Sequence, residues 1–303
     1  MNMYIFDIKR LAINDGPGIR VTLFMKGCPL RCVWCHNPEG LNPNRQKMYV
    51  KKKCIGCRSC VEACPRGGLV LTRDGIQSTG VECTLCGTCV EECPTLALEM
   101  AGKEYSLSEL MNLVEKDRVV METSGGGVTL CGGEPLMHPE ALVEILEELG
   151  RRGLHRTVDT TLYASEATLE KVIPHADLFM VDLKHMDSDK HRKYTGVPNE
   201  PILRNIRLIA EKGIRYWIRI PLIEGVNADE ANIIRCAEFL KELPTRPEIV
   251  NILPYHDIGI GKHKRLGSDY NPDELVMSTP SQEWQEHCVE IFKSYGLDSK
   301  IGG

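Results

Sequence analysis

Outside one cysteine-dense stretch, short runs of β-branched and apolar residues alternate along the chain with longer segments in which apolar residues return every three or four positions. Six of the short runs read as strands: Arg20–Met25, Gly127–Leu130, His155–Asp159, Leu178–Asp182, Tyr216–Pro221 and Glu248–Leu253. The helical period is plainest after the second run, where Leu142, Ile145, Leu146 and Leu149 share one face and Gly150 is placed to stop the helix. Further helices are expected over 106–117, 164–173, 201–212, 228–242 and 282–295. Alternating strands and helices predict a parallel α/β fold. Six βα units fall short of a closed eight-stranded barrel, so the expected architecture is an open, partial (β/α)6 TIM-like barrel with its chemistry at the C-terminal rim of the strands.

With 303 residues, 42% of them hydrophobic, the chain is long enough for one large α/β domain or two smaller ones. No stretch reaches the apolar length of a membrane span. Residues Met1 to Lys9 lack a basic region followed by an apolar core, so a cytoplasmic location without a membrane partner is expected. A formal charge of −5 argues against a dedicated nucleic-acid surface. The 14 cysteines change the picture most. In a reducing compartment, cysteines clustered at C-x2-C spacings point to metal ligation rather than disulfides.

Residues 54–94 carry an internal repeat, Cys54-x2-Cys57-x2-Cys60-x3-Cys64-Pro65 and Cys83-x2-Cys86-x2-Cys89-x3-Cys93-Pro94. This is the bacterial two-cluster ferredoxin run, in which the fourth cysteine of each copy ligates the other cluster. Carrying that crossover here assigns Cys54, Cys57, Cys60 and Cys93 to one [4Fe-4S] cluster, and Cys83, Cys86, Cys89 and Cys64 to a second. A pair of structural zinc sites is the competing reading; the proline after each fourth cysteine favours the clusters. The repeat predicts an inserted ferredoxin-like domain at 51–100, interrupting a barrel made of 1–50 and 101–303. Lys51-Lys52-Lys53 reads as its solvated boundary.

A second pattern, Cys28-x3-Cys32-x2-Cys35, supplies one thiolate fewer than a [4Fe-4S] cluster normally takes. The iron left open can bind a cofactor, by the logic that separates catalytic from closed structural metal sites. The spacing resembles the radical S-adenosylmethionine superfamily, in which Cys28, Cys32 and Cys35 would hold the cluster that reductively cleaves S-adenosylmethionine. Gly132-Gly133-Glu134 is similar to that superfamily's glycine-glycine-glutamate motif, which holds the cofactor's amino group. Asp15-Gly16-Pro17-Gly18-Ile19-Arg20, Asp159-Thr160-Thr161, Met180-Val181-Asp182-Leu183-Lys184 and Leu253-Pro254-Tyr255-His256 narrow the resemblance to glycyl radical enzyme activating enzymes, in the subgroup with two auxiliary clusters.

That resemblance implies a monovalent cation, K+ or Na+, held by Asp159, Thr160, Met180 and Asp182 beside the cofactor carboxylate. It also implies Lys184, Arg219 and His256 as cofactor contacts, and Asp15 and Gly16 as the place where a partner's glycine loop binds. Two residues depart from the family pattern: Cys131 stands where most members have serine, and Leu162 where many have glycine. Cys131 is expected to be a buried free thiol near the cofactor, and Cys236 and Cys288 core thiols. His36 is a candidate to cover the cluster, while Trp34 reads as packing.

The function implied is an activase: a 5′-deoxyadenosyl radical abstracts hydrogen from a backbone glycine of a partner glycyl radical enzyme. A monomer served by a flavodoxin or ferredoxin-type electron donor is expected. The rival is a radical S-adenosylmethionine enzyme acting on a small molecule or another peptide. A plain electron carrier would need neither the Cys28-Cys32-Cys35 triplet nor a barrel.

Overall fold

The computed structural model describes residues 4–268 and 270–303. Its strands are β1 (Tyr4–Ala12), β2 (Arg20–Met25), β3 (Gln46–Tyr49), β4 (Leu69–Thr72), β5 (Gly75–Ser78), β6 (Leu98–Ala101), β7 (Lys103–Glu104), β8 (Gly127–Gly132), β9 (His155–Thr160), β10 (Leu178–Asp182), β11 (Tyr216–Leu222), β12 (Val250–Pro254) and β13 (Ser299–Ile301). Nine of them form one sheet in the order β13-β12-β11-β10-β9-β8-β2-β1-β7. From β2 to β13 every neighbour is parallel, whereas β1 runs antiparallel to both β2 and β7. The six strands read from the sequence are all present, as the parallel α/β fold requires.

Side chains in a strand point alternately to its two faces, and here the alternation separates two chemistries. Val21, Leu23, Val128, Leu130, Val158, Val181, Ile218 and Ile220 belong to the apolar core shared with the helices. Their immediate neighbours Thr22, Thr129 and Thr157 are equally buried but polar. The helix Pro139–Arg151 contributes Leu142, Ile145, Leu146 and Leu149 to that core, all 0% exposed. Gly150 does not stop this helix. An added Cβ there would lie 2.4 Å from Arg156 Nη1, so the glycine makes room for a guanidinium, and the chain turns instead at Gly153 with φ +72°.

Other boundaries follow caps. Ser165, Asp229 and Ser281 each accept from a backbone N–H at the head of Glu166–Val172, Glu230–Lys241 and Gln282–Ser294. The helix expected over 106–117 is two, Leu107–Glu115 behind a Ser106–Glu109 capping box and Arg118–Ser124, separated where Asp117 turns to meet Arg10. β12 starts at Val250 because Glu248 is turned outward to Arg215 and Trp217.

The cysteine-dense segment begins before its cysteines. β3 and β6 pair from Gln46↔Ala101 to Tyr49↔Leu98, closing off residues 46–101, and β4 and β5 form a hairpin inside them. Cys60, Leu69, Cys89 and Leu98 make a small apolar cluster of their own.

Glycine is required where β2 meets β8. A Cβ on Gly126 would stand 1.8 Å from Ile19 O, whereas one on Gly125, at φ +68°, would meet nothing within 4 Å. Gly126→Ala is therefore expected to lower the unfolding free energy by about 2 kcal/mol or more, and Gly125→Ala by about 1 kcal/mol from its backbone conformation alone. Thermal unfolding of the two variants side by side checks the order.

Candidate active site

Over the polar face, where the parallel strands end, lies a cavity of about 490 Å³. Cys28, Cys32 and Cys35 face it from the loop after β2. That loop is held by backbone bonds: Gly27 N donates to Gly40 O (2.7 Å), Arg31 N to Thr195 O (2.7 Å) and Val33 N to Tyr194 O (3.0 Å). Trp34 packs with Tyr194, Ile223 and Tyr255 beneath the loop. Burial pushes the free thiols of Cys28 and Cys32 up to about 12 and that of Cys35 to about 11. At neutral pH they carry their protons until a metal replaces them.

The end of β8 reaches the same loop. Gly133 N donates to Met25 O (2.8 Å) and Glu134 N to Gly27 O (2.7 Å). Added Cβ atoms would stand 2.4 Å from Met25 N at Gly132, whose φ is +114°, and 2.1 Å from Gly27 O at Gly133. The two glycines line the cavity. Glu134 is not among the lining residues. It is 0% exposed, and its oxygens accept from Leu136 N (3.0 Å), Thr160 Oγ1 (2.6 Å), Thr161 N (2.8 Å) and Thr161 Oγ1 (2.5 Å). Four donors leave this carboxylate fixing the Thr160-Thr161 turn from behind the cavity wall.

Charged groups line the opposite side. Asp159 is paired with Arg219, and Asp182 with Lys184 at 2.5 Å. Register explains the grouping: Met180 is opposite Asp159, Val181 opposite Thr160, and Asp182 opposite Arg219 on three adjacent strands. Burial raises the Asp159 carboxyl to about 6 against the pull of Arg219, with Asp182 and Asp15 adding to the rise. Asp182 is equally buried, but Lys184 and Arg219 outweigh that cost and hold its carboxyl below the usual range. Of the residues expected around a cation, Asp159, Thr160 and Asp182 face the cavity, while Met180 is buried in β10 at 1% exposure. Thr160 Oγ1 already donates to Glu134 and accepts from Leu162 N (2.9 Å). Leu162 itself has φ +56°, the backbone conformation that glycine adopts at least cost.

His256 lines the cavity with its ring stacked on His36, centroids 3.9 Å apart. Burial, aided by His256, drops His36 to about 4 and keeps it neutral. Cys131 also faces the cavity, while Cys236 and Cys288 are core thiols at 0% exposure. Asp15 is a lining residue and Gly16 is its neighbour in the loop. Sequence reasoning passed over Phe24, Asn14, Gly302 and Gly303, all in the wall. Phe24 could have been found, because it shares its strand face with Thr22; nothing in the sequence marks Gly302 or Gly303.

In the segment 46–101, Cys54, Cys57, Cys60 and Cys93 surround one small cavity, and Cys64, Cys83, Cys86 and Cys89 another. Among the described residues no three His, Cys, Asp or Glu side chains are grouped as a site for a single metal ion. No helix among them is long and apolar enough to cross a membrane.

Residues 22–237 match the Radical SAM superfamily. The chain is 41% identical to the trans-4-hydroxy-L-proline dehydratase activating enzyme of Clostridioides difficile over 100% of both proteins. It is 40% identical to the choline trimethylamine-lyase activating enzyme of Oleidesulfovibrio alaskensis over 95% of each. A solved domain of the pyruvate-formate lyase-activating enzyme from Bacteroides vulgatus, 52% identical, covers 59% of this chain and 99% of its own with a TM-score of 0.51. With a family match over most of its length and relatives that share its whole span, the chain belongs to the radical SAM superfamily and, within it, to the activating enzymes of glycyl radical enzymes.

Proposed function

We propose that the cavity holds a [4Fe-4S] cluster on Cys28, Cys32 and Cys35 with S-adenosylmethionine beside it, and that the chain uses them to place a radical on a backbone glycine of a partner enzyme. The observation that carries this reading is that three thiols, two ion pairs and the Gly132-Gly133 backbone face one cavity. The donor set fits the groups: soft thiols suit iron–sulfur clusters, and the void beside them has room for more than a metal ion. When bound, the cluster supplies one electron and S-adenosylmethionine supplies the 5′-deoxyadenosyl radical and methionine.

The chain's own residues bind, orient and exclude. Gly132 and Gly133 bring bare backbone to the wall where any side chain would collide. Glu134 holds Thr160 and Thr161 still. Asp15, Asp159 and Asp182 against Arg219 and Lys184 leave three negative charges against two positive, one negative in excess. A cofactor carboxylate adds another, so a monovalent cation at Asp159, Thr160, Asp182 and the Met180 backbone would relieve the repulsion. His36 and His256 present neutral or stacked ring faces at the rim.

The two cysteine sets of residues 46–101 fit two further [4Fe-4S] clusters in a ferredoxin-like insert. Cys93 lies with Cys54, Cys57 and Cys60, and Cys64 with Cys83, Cys86 and Cys89, which supports the crossed ligation. The reading includes a flavodoxin or ferredoxin-type donor feeding the insert, a monomer in the cytoplasm, and a glycyl radical enzyme as the protein substrate.

Anaerobic reconstitution is expected to give on the order of twelve iron per chain. Cys32→Ala should abolish cleavage of S-adenosylmethionine by dithionite-reduced protein. Cys57→Ala should leave the cavity cluster formed and impair reduction or stability. An iron count near that of one cluster, with zinc making up the rest, would overturn the insert assignment.

Asp182→Ala removes the partner of Lys184 and one of the crowded carboxylates. S-adenosylmethionine should then bind about tenfold more weakly, with no response to potassium or sodium, since one lost buried ion pair is worth at least about that factor. Calorimetric titration in the two salts measures both effects.

With S-adenosylmethionine, reductant and a cognate partner, electron paramagnetic resonance should show a doublet glycyl radical that glycine→Ala in the partner removes. Deoxyadenosine that rises instead with a small metabolite and no protein partner would replace this reading with the small-molecule one.

A further inference from the structure

The interior of the sheet beneath the cavity is polar, whereas barrels of this kind are ordinarily filled by apolar side chains. Its largest member is Arg20, at the start of β2 and 0% exposed. A guanidinium carried so deep loses its hydration, which is tolerable only where its donors are met. Nη1 donates to Pro17 O (2.9 Å), Nη2 to Val128 O (2.8 Å) and Thr157 Oγ1 (2.9 Å), and Nε to Thr129 Oγ1 (2.6 Å). Nη2 also approaches His155 Nδ1 (3.3 Å) and O (3.4 Å), so its direct partners are hydroxyls, carbonyls and an imidazole, while the carboxylates of Asp15 and Asp177 act on it through space. Burial pulls the guanidinium down to about 10, so it stays charged at neutral pH.

These contacts converge on one loop. Thr129 accepts from Arg20 and donates its own hydroxyl to Asp15 O (2.6 Å), while Thr22 donates to the Asp15 carboxylate (2.8 Å). Gly16, at φ +125°, lies so close over Arg20 that a Cβ would stand 3.1 Å from its Cδ and Nε. The loop 14–18 therefore rests on the Arg20 side chain, and Asn14 and Asp15 at its head face the cavity.

We propose that Arg20, acting through Thr129, is a positioning residue for the partner's glycine loop, fixing the backbone of Asn14, Asp15 and Gly16 as the surface that the incoming segment meets. The inference rests on the reading of the chain as an activating enzyme. An extended segment around a glycine offers mostly backbone groups, so it must be recognised by backbone and short side chains held in place. Hydrogen abstraction also requires the reacting atoms near van der Waals contact, and a displacement of about an ångström at a substrate-positioning group can cost on the order of a hundredfold in rate. Arginine suits the task because its planar fork presents several donors in fixed directions, which lysine cannot do.

The test compares reconstituted, unaltered protein with Thr129→Val, Thr129→Ser and Arg20→Met. Trans-4-hydroxy-L-proline dehydratase, choline trimethylamine-lyase and synthetic peptides covering their glycine loops serve as substrates. Three quantities are read: glycyl radical by electron paramagnetic resonance, deoxyadenosine by chromatography, and amide exchange across residues 14–18. Thr129→Val keeps the side-chain shape and removes the hydroxyl. It should raise KM for the protein substrate about tenfold, raise deoxyadenosine per glycyl radical by a similar factor, and speed exchange of the loop. Thr129→Ser restores the hydroxyl and should return all three to within about twofold. Arg20→Met should exceed Thr129→Val, and if it does not fold the Thr129 pair still decides. Unchanged KM and unchanged exchange in Thr129→Val overturn this inference alone. An unaltered protein that cleaves S-adenosylmethionine yet radicalises none of these substrates overturns the activating-enzyme reading and this inference with it.

Discussion

The structure depends on how closely two backbones approach at the join between β2 and β8. The carbonyls of Met25 and Gly27 accept from Gly133 N and Glu134 N, and no side chain at 132 or 133 would fit between. Because the cysteine loop begins at Gly27, this join sets the three thiols directly over the end of β8. The same turn sends Glu134 beneath the floor, where it fixes the end of β9 through Thr160 and Thr161. One close contact thus sets the relative places of the thiols, the bare glycine backbone and the first of the paired carboxylates.

A second constraint follows from putting charges on the concave face of a sheet. Two of the carboxylates there are matched by cations, Asp159 by Arg219 from two strands away and Asp182 by Lys184 from the turn after its own strand. A buried pair contributes little net stability but leaves a costly orphan if one member is lost. The arrangement is therefore better understood as a way of holding charge ready at a site than as a stabilising device. Arg20 extends the same logic to the bottom of the barrel, with hydroxyls and carbonyls in place of carboxylates.

The six parallel strands were legible because each presents an apolar run toward the helices, and the cysteine spacings announced where the soft donors lie. β1 was not legible: along Tyr4–Ala12 only Ile5 and Ala12 are buried, so its pattern carries no period of two. β13 has three residues and is held in place by β12 and a terminal helix rather than by its own sequence. The motif around Glu134 pointed to the turn, but its sequence could not show that four donors surround the carboxylate. Gly150 misled for a related reason, since a glycine that accommodates a neighbour looks the same as one that ends a helix.

The two cysteine-bearing regions are separate along the chain but share one helix, Gly259–Leu266. Gly259 lies against the backbone of Cys35, where a Cβ would come within 2.6 Å of its carbonyl oxygen. Lys262 reaches Asn37 Oδ1 (3.0 Å) and Glu39 Oε2 (3.4 Å) beside the triplet, and Arg265 pairs with Glu99 at the β6 edge of the cysteine-rich segment. The first contact is steric and leaves little freedom. The last is a half-exposed ion pair, of a kind worth about 1 kcal/mol or less. The helix accordingly packs on both sides, against the loop of the triplet and against β3 of the segment, so it ties the place of the proposed electron-transfer insert to that of the thiols.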